Sequence, residues 1–211
     1  MIIIINPNST ASMTEAMVRT ARETCPNSSI EGWTSHDGPP AIQGPEDGRA
    51  CVPALLKLVQ KASDAGAQAI VIGCFDDTGL DEAMSIADCP VIGIGQAAYH
   101  LAALAGDRFS VITTLPISAP VLEENIKAYG LGHHLGHVHS CGVPVLALET
   151  EFESSAKRVL DEIANIQAVD NVQSIVLGCA GMVHIPALAG PEIKVRLIDG
   201  VRAATQIGAM L

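Results

Sequence analysis

The sequence predicts an α/β protein of two pseudo-symmetric lobes, each a parallel β-sheet flanked by helices, with the functional cleft between them. Three observations lead there. Short apolar runs of strand length alternate with amphipathic helical stretches along the whole chain, the pattern of parallel strands joined by crossover helices. The order restarts halfway, where Arg108-Phe109-Ser110-Val111-Ile112-Thr113-Thr114 repeats the opening Ile2-Ile3-Ile4-Ile5 and its polar tip. Finally, Ala69-Ile70-Val71-Ile72-Gly73-Cys74 returns in the second half as Ser174-Ile175-Val176-Leu177-Gly178-Cys179, so two matching strands each end in Gly-Cys. The expected lobes are residues 1–97 with 200–211, the half carrying Cys74, and residues 98–199, the half carrying Cys179.

Taken in order, residues 2–5 form a continuous β-branched run, read as a buried strand, and Asn6-Pro7-Asn8-Ser9-Thr10 breaks it with turn and cap residues. A helix over residues 11–24 follows, then a weaker strand over 28–34. Residues 36–48 are dense in Gly and Pro and read as a long loop, able to act as a lid or pocket wall. Residues 53–65 read as a helix with Leu55, Leu56, Leu58 and Val59 inward and Gly66 at its end. The first Cys strand, a short helix over 78–87, a strand over 90–94 and an Ala-rich helix over 96–105 complete the first half. In the second half, residues 108–114 are a strand, 116–129 a helix, 135–141 a strand with alternating His137, His139 and Cys141, and 154–167 an amphipathic helix. The second Cys strand, a short helix or loop at 183–186, a strand over 195–198 and a helix over 200–211 close the chain. Parallel sheets carry their functional residues at the carboxyl ends of the strands, where Asn8, Cys74, Thr113 and Cys179 all fall.

Composition excludes several classes. With 211 residues, 48% of them hydrophobic, the chain can bury one substantial core or two small ones. A net charge of -11 without any basic run argues against nucleic-acid partners and a basic membrane-surface helix. The apolar start is too short for a signal peptide and no run reaches the length of a membrane span. Six cysteines without close CxxC pairs fit free thiols and a cytoplasmic location better than a disulfide framework.

The paired thiols carry the chemistry. Two sulfurs facing each other across a cleft suit proton removal from one face of a carbon and proton return on the other. A site just before a helix N-terminus is expected to favour a thiolate. Asp76 and Asp77 follow Cys74, whereas the uncharged Ala180-Gly181 follows Cys179, which makes Cys179 the more readily ionised thiol in expectation. Cys25, Cys51, Cys89 and Cys141 have no such partner and read as structural. Ser9, Thr10, Thr113 and Thr114, the Asn8 amide and the N–H groups after each Cys are the candidate donors to an enolate oxygen, and for Asn8, Ser9 and Thr10 plain helix capping is an equal reading. No Lys or Arg sits in these tips, Arg49 being the nearest, so a neutral, imide-like substrate fits better than a free amino acid. His133, His134, His137, His139 and Cys141 match no familiar zinc spacing and read as an exposed His-rich stretch; no metal is expected. Gly93-Ile94-Gly95 lacks the third Gly and the acidic residue of a dinucleotide loop.

The opening IIIINPNST, the GPPAIQGPEDG loop, VIGCFDDTGL, PVIGIGQAA and VLGCAGM together resemble the hydantoin racemase branch of the aspartate/glutamate racemase superfamily, over nearly the whole chain and in order. The resemblance implies a cofactor-independent racemase with Cys74 and Cys179 as the two bases. It also implies substrate contacts from Asn8, Ser9, Ile42, Phe75, Thr113, Thr114, Ala180 and Gly181, and a homo-oligomer. Arylmalonate decarboxylases keep a cysteine only at the second site, so two intact cysteines point to racemisation of a small hydantoin-type ring. Allantoin racemases, which act on a hydantoin bearing a ureido group, are alike at this level. Aspartate and glutamate racemases differ in the opening motif. Two readings from other classes stay open: a two-lobed binding protein for a small metabolite, and a thiol redox protein.

Overall fold

A computed structural model of the chain describes residues 1–106 and 108–211. Ile2–Asn6 forms β1, Ile30–Thr34 β2, Ala69–Ile72 β3 and Val91–Gly93 β4, and these make one parallel sheet in the order β2-β1-β3-β4. Phe109–Thr113 (β5), Leu135–Ser140 (β6), Ser174–Leu177 (β7) and Arg196–Asp199 (β8) make a second parallel sheet in the equivalent order β6-β5-β7-β8. The equivalence extends to register, since Ile5 pairs with Ile72 in one sheet and Ile112 with Leu177 in the other.

Helices cover both faces of each sheet, which explains the unbroken isoleucine run. Ile2 and Ile4 enter one apolar cluster, Ile3 and Ile5 another, because alternate side chains of a strand covered on both sides are all buried. α1 (Ala11–Thr24), α4 (Ile94–Ala105), α5 (Ala119–Ala128) and α9 (Gly200–Met210) contribute to the first cluster. α2 (Pro45–Asp64) and α3 (Leu80–Ile86) cover the outer face of the first sheet. α7 (Phe152–Val169), with the short α6 (Ala147–Thr150) and α8 (Ile185–Leu188), covers that of the second. The first cluster joins Ile4 and Val71 of one sheet to Val111 and Val176 of the other. At its centre Tyr99 is fully buried, edge-on to Phe75 at 5.4 Å and stacked on Phe109 at 6.0 Å. The two halves therefore share a core. Residue 97, the expected lobe boundary, lies within α4, a helix that packs on β4 as well as on β7, β8 and α9.

Several elements differ from expectation. α2 begins at Pro45, inside the expected loop, and runs through Pro53. Pro45 in the first turn followed by Glu46 and Asp47 is a helix start that the surrounding glycines disguise. The expected helix over 116–129 opens with a 3-10 turn, Pro116–Ser118, before α5. α6 has no counterpart in the sequence reading. Among the described residues no helix is long and apolar enough to cross a membrane.

Candidate active site

The two Gly-Cys tips are built alike. Gly73 donates its N–H to the Ile5 carbonyl at 2.8 Å and Gly178 to that of Ile112 at 2.7 Å, so each tip lies against the central strand of its sheet. A side chain would not fit at either place. A Cβ at Gly73 would stand 2.6 Å from Met17 Sδ, and one at Gly178 would stand 2.8 Å from the Ile112 carbonyl oxygen. The chain then turns, with Asp77 N–H donating to the Cys74 carbonyl and Met182 N–H to that of Cys179.

Both cysteines line one narrow cavity of about 30 Å³ between the carboxyl ends of the two sheets. Of the other residues singled out from sequence, Asn8, Ile42, Phe75, Thr113, Thr114, Ala180 and Gly181 line it as well. Ser9 does not; its N–H donates to the Pro39 carbonyl at 2.9 Å and holds the Pro-rich loop to the start of α1. The Asn8 side-chain Oδ1 accepts from Asn6 Nδ2 and Thr10 N–H, both at 2.9 Å, while its Nδ2 lies 3.5 Å from Met13 Sδ. Thr113 Oγ1 donates to the Gly178 carbonyl at 3.3 Å, tying β5 to the Cys179 tip. Beside Ile42, Gln43 Oε1 accepts the Val145 N–H at 2.9 Å and so links the two halves.

Sequence reasoning passed over Met13, Ser118 and Val145, which also line the cavity, and named Asp76 for its charge beside Cys74 but not as a lining residue. Met13 belongs to the buried face of α1, and Ser118 follows the proline that opens the 3-10 turn. Their helical periodicity marks them as core residues, and only the meeting of the two halves turns them toward a cleft. Asp76 is the sole ionisable group among the described lining residues besides the thiols. Burial pushes its carboxyl up to about 6.

Electrostatics at the thiols run against the expected helix-dipole effect. α3 starts at Leu80, well past Cys74, and Cys179 leads only into a 3-10 turn, Ala180–Met182, so neither cysteine stands directly before an α-helix. Burial dominates and pushes Cys179 up to about 12 and Cys74 well above the usual thiol range. Two features oppose or add to it. The backbone N–H of Asp76 beside the Cys74 sulfur and that of Gly181 beside the Cys179 sulfur each favour the anion. The Asp76 carboxylate disfavours it at both sulfurs, and Asp77 adds to this at Cys74. Both thiols therefore carry an upward shift, opposite to the thiolate expected from sequence. All six cysteines are free thiols.

Comparison with known proteins agrees with this architecture. The family model for Asp/Glu/Hydantoin racemase matches residues 2–208. A hydantoin racemase from Rhizobium meliloti is 40% identical over 209 residues, covering 99% of this chain and 87% of its own. The allantoin racemase from Klebsiella pneumoniae superposes with a TM-score of 0.95 at 33% identity, covering 100% of this chain and 86% of its own. Allantoin racemase from Pseudomonas fluorescens does so with a TM-score of 0.93 at 28% identity, over 100% of this chain and 89% of its own. With its two equivalent parallel sheets and a match along almost its full length, the chain belongs to the Asp/Glu/hydantoin racemase family and is an isomerase of the racemase type.

Proposed function

We propose that the chain racemises 5-substituted hydantoins, without a cofactor, by proton transfer at C5 between Cys74 and Cys179. The observation that carries the proposal is that both sulfurs, from equivalent strand tips, line one small cavity. The ring binds with C5 between them. One thiolate removes the C5 proton, the flanking ring carbonyls take up the charge, and the opposite thiol delivers a proton to the other face. The roles exchange for the other enantiomer. The N–H groups of Asp76 and Gly181 stabilise whichever sulfur is anionic. A neutral ring suits a wall that includes no Lys or Arg among its described residues and whose one carboxyl would repel a carboxylate substrate. The acidic amino acids are therefore disfavoured.

Allantoin is the second reading, favoured by the likeness to two allantoin racemase structures. A binding protein needs no thiol pair. The test is loss of optical rotation of enantiopure benzylhydantoin, isopropylhydantoin and allantoin in the absence of added cofactor. The wild type is expected to racemise at least one of them, and Cys74→Ser and Cys179→Ser each to lose at least about a thousandfold in kcat. In D2O each single variant is expected to exchange deuterium into one enantiomer only. Racemisation at the wild-type rate by both variants would refute the two-thiol mechanism, and no rotation change with any of the three rings would refute the substrate class.

A further inference from the structure

Outside the cleft, the fold assembles a group of side chains that the racemase reaction does not use. β6 carries His137 and His139 two residues apart, on the strand face that looks toward α7. The chain leaves α7 at Asp170, and its carboxylate lies between the two rings: His137 Nδ1 is 3.1 Å from Oδ1 and His139 Nε2 is 2.9 Å from Oδ2. One donor atom from each of the three residues lies within 4.8 Å of the other two. The register of β6 against β5 shifts between Phe109 and Val111, and this bulge re-aims the strand where His137 sits.

The surroundings hold these donors in place. Asp170 has a side chain only 5% exposed, and the Ser110 hydroxyl donates to its Oδ2. Ser110 is itself fixed by the His137 N–H, which donates to its Oγ at 3.2 Å. On the far side of the His139 ring, Nδ1 stands 3.9 Å from Glu162 Oε1, too long for a hydrogen bond but close enough for the carboxylate to add negative charge beside the site. His137, with its side chain 69% exposed, forms the open side. A shallow groove of about 220 Å³ lined by His137, Asp170 and Arg108 gives access, and it shares no lining residue with the cysteine cavity.

We propose that His137, His139 and Asp170 form a binding site for a divalent transition-metal ion, with Ser110 as the group that holds the Asp170 carboxylate in place. Two imidazoles and one carboxylate are borderline donors, suited to Zn2+, Co2+ or Ni2+ and poorly matched to Ca2+ or Mg2+, which take oxygen ligands. Zn2+ completes its four-coordinate shell here with a water from the groove. The ion ties the edge strand β6 to the end of α7 and takes no part in the proton transfer. Sequence spacing concealed the site because its third ligand lies 31 residues beyond His139. Cys141 and His133 are not part of it, Cys141 being buried with its thiol toward the Thr114 carbonyl.

The test is titration of the chelator-stripped full chain with Zn2+ by calorimetry, with Co2+ absorption as a second readout. Expected is one equivalent of Zn2+ whose affinity falls at least about tenfold in His137→Ala, His139→Gln and Asp170→Asn. His137→Ala removes an exposed ring and leaves the fold unstressed, so its result stands even where Asp170→Asn is poorly folded. Bound Co2+ is expected to show no thiolate-to-metal charge-transfer band, and the racemase activity of His137→Ala is expected to equal the wild type's. No uptake of Zn2+ by the wild type, equal affinity in His137→Ala, or a thiolate band on Co2+ would each overturn the proposal.

Discussion

Asp76 stands one residue beyond Cys74 with its N–H on the sulfur and its carboxylate in the same cavity, so one residue both favours and opposes the thiolate. Because its charge raises both Cys74 and Cys179, Asp76→Asn removes a repulsion and lowers both thiols, leaving the backbone donor in place. In the wild type, kcat/KM is expected to climb steadily above pH 7 as a buried thiol of the free enzyme ionises, and in Asp76→Asn the climb is expected to begin at lower pH. The two profiles should converge below about pH 6, where Asp76 of the wild type is itself neutral. Superimposable pH profiles from stopped-flow or polarimetric rates would show that this charge does not reach the reacting sulfur. The cysteines and their glycines were legible at this scale because a repeated Gly-Cys after an apolar run is a rare coincidence. Met13, Ser118 and Val145 were not, because nothing local distinguishes an apolar residue facing a cleft from one facing a core.

Among the elements, the start of α4 depends on a residue far from it in sequence. Gly93 at its N-cap has no side chain to offer, and Asp77 takes over that role from the Cys74 loop, accepting the Gly95 N–H at 3.0 Å and the Gln96 N–H at 2.6 Å. Tyr129, at the end of α5, donates its hydroxyl to the same carboxylate at 2.9 Å, so Asp77 joins a loop of the first sheet to helices of both halves. It does so with φ at 49°, a conformation that Asp tolerates better than most residues. Burial outweighs these three donors and pushes the Asp77 carboxyl up to about 7. A folded-state value above the unfolded one means that the folded protein binds the extra proton. The stabilisation is fully present below about pH 4 and is lost as pH rises through about 7, with Asp76 acting in the same direction. The melting temperature is therefore expected to fall between pH 5 and 8. Asp77→Asn should flatten that fall and cost about 1–3 kcal/mol at pH 5, since both carboxyl oxygens face a backbone N–H, and an amide turns one of these acceptors into an NH2 donor. A variant melting profile as steep as the wild type's would assign the pH dependence elsewhere. Strands and long helices could be read from periodicity, and α1 has the bounds expected of it. The first turns of α2 and all of α6 could not, because Gly, Pro and Glu-Thr near their ends mimic loop composition while the tertiary contacts that hold them are remote.

For the whole molecule, the sequence indicated two halves but not that they share a core around Tyr99, since a strand buried on both faces reads the same whichever half supplies the covering helix. The two helices that cross that core begin against each other. α4 leaves β4 and α9 leaves β8, and at their starts a Cβ on Gly200 would stand 2.5 Å from the Ile94 carbonyl oxygen and 2.9 Å from Phe75. Asp199 fixes the start of α9 by accepting the Arg202 N–H at 2.7 Å, so α9 cannot slide away to relieve the contact. Gly200→Ala must therefore push the helix starts apart, and with them the two sheets whose tips hold the cysteines. The expected cost is about 1–3 kcal/mol of stability, together with a fall in kcat larger than the change in KM, because the distance between the sulfurs changes while the ring's other contacts persist. Gly208→Ala in the same helix is the control. There the nearest atom to a new Cβ is 3.5 Å away, an ordinary contact, and the better helix former should raise stability by up to about 1 kcal/mol without altering kcat. If calorimetry and steady-state rates placed Gly200→Ala and Gly208→Ala together, the close approach of α4 and α9 would have no part in spacing the two cysteines.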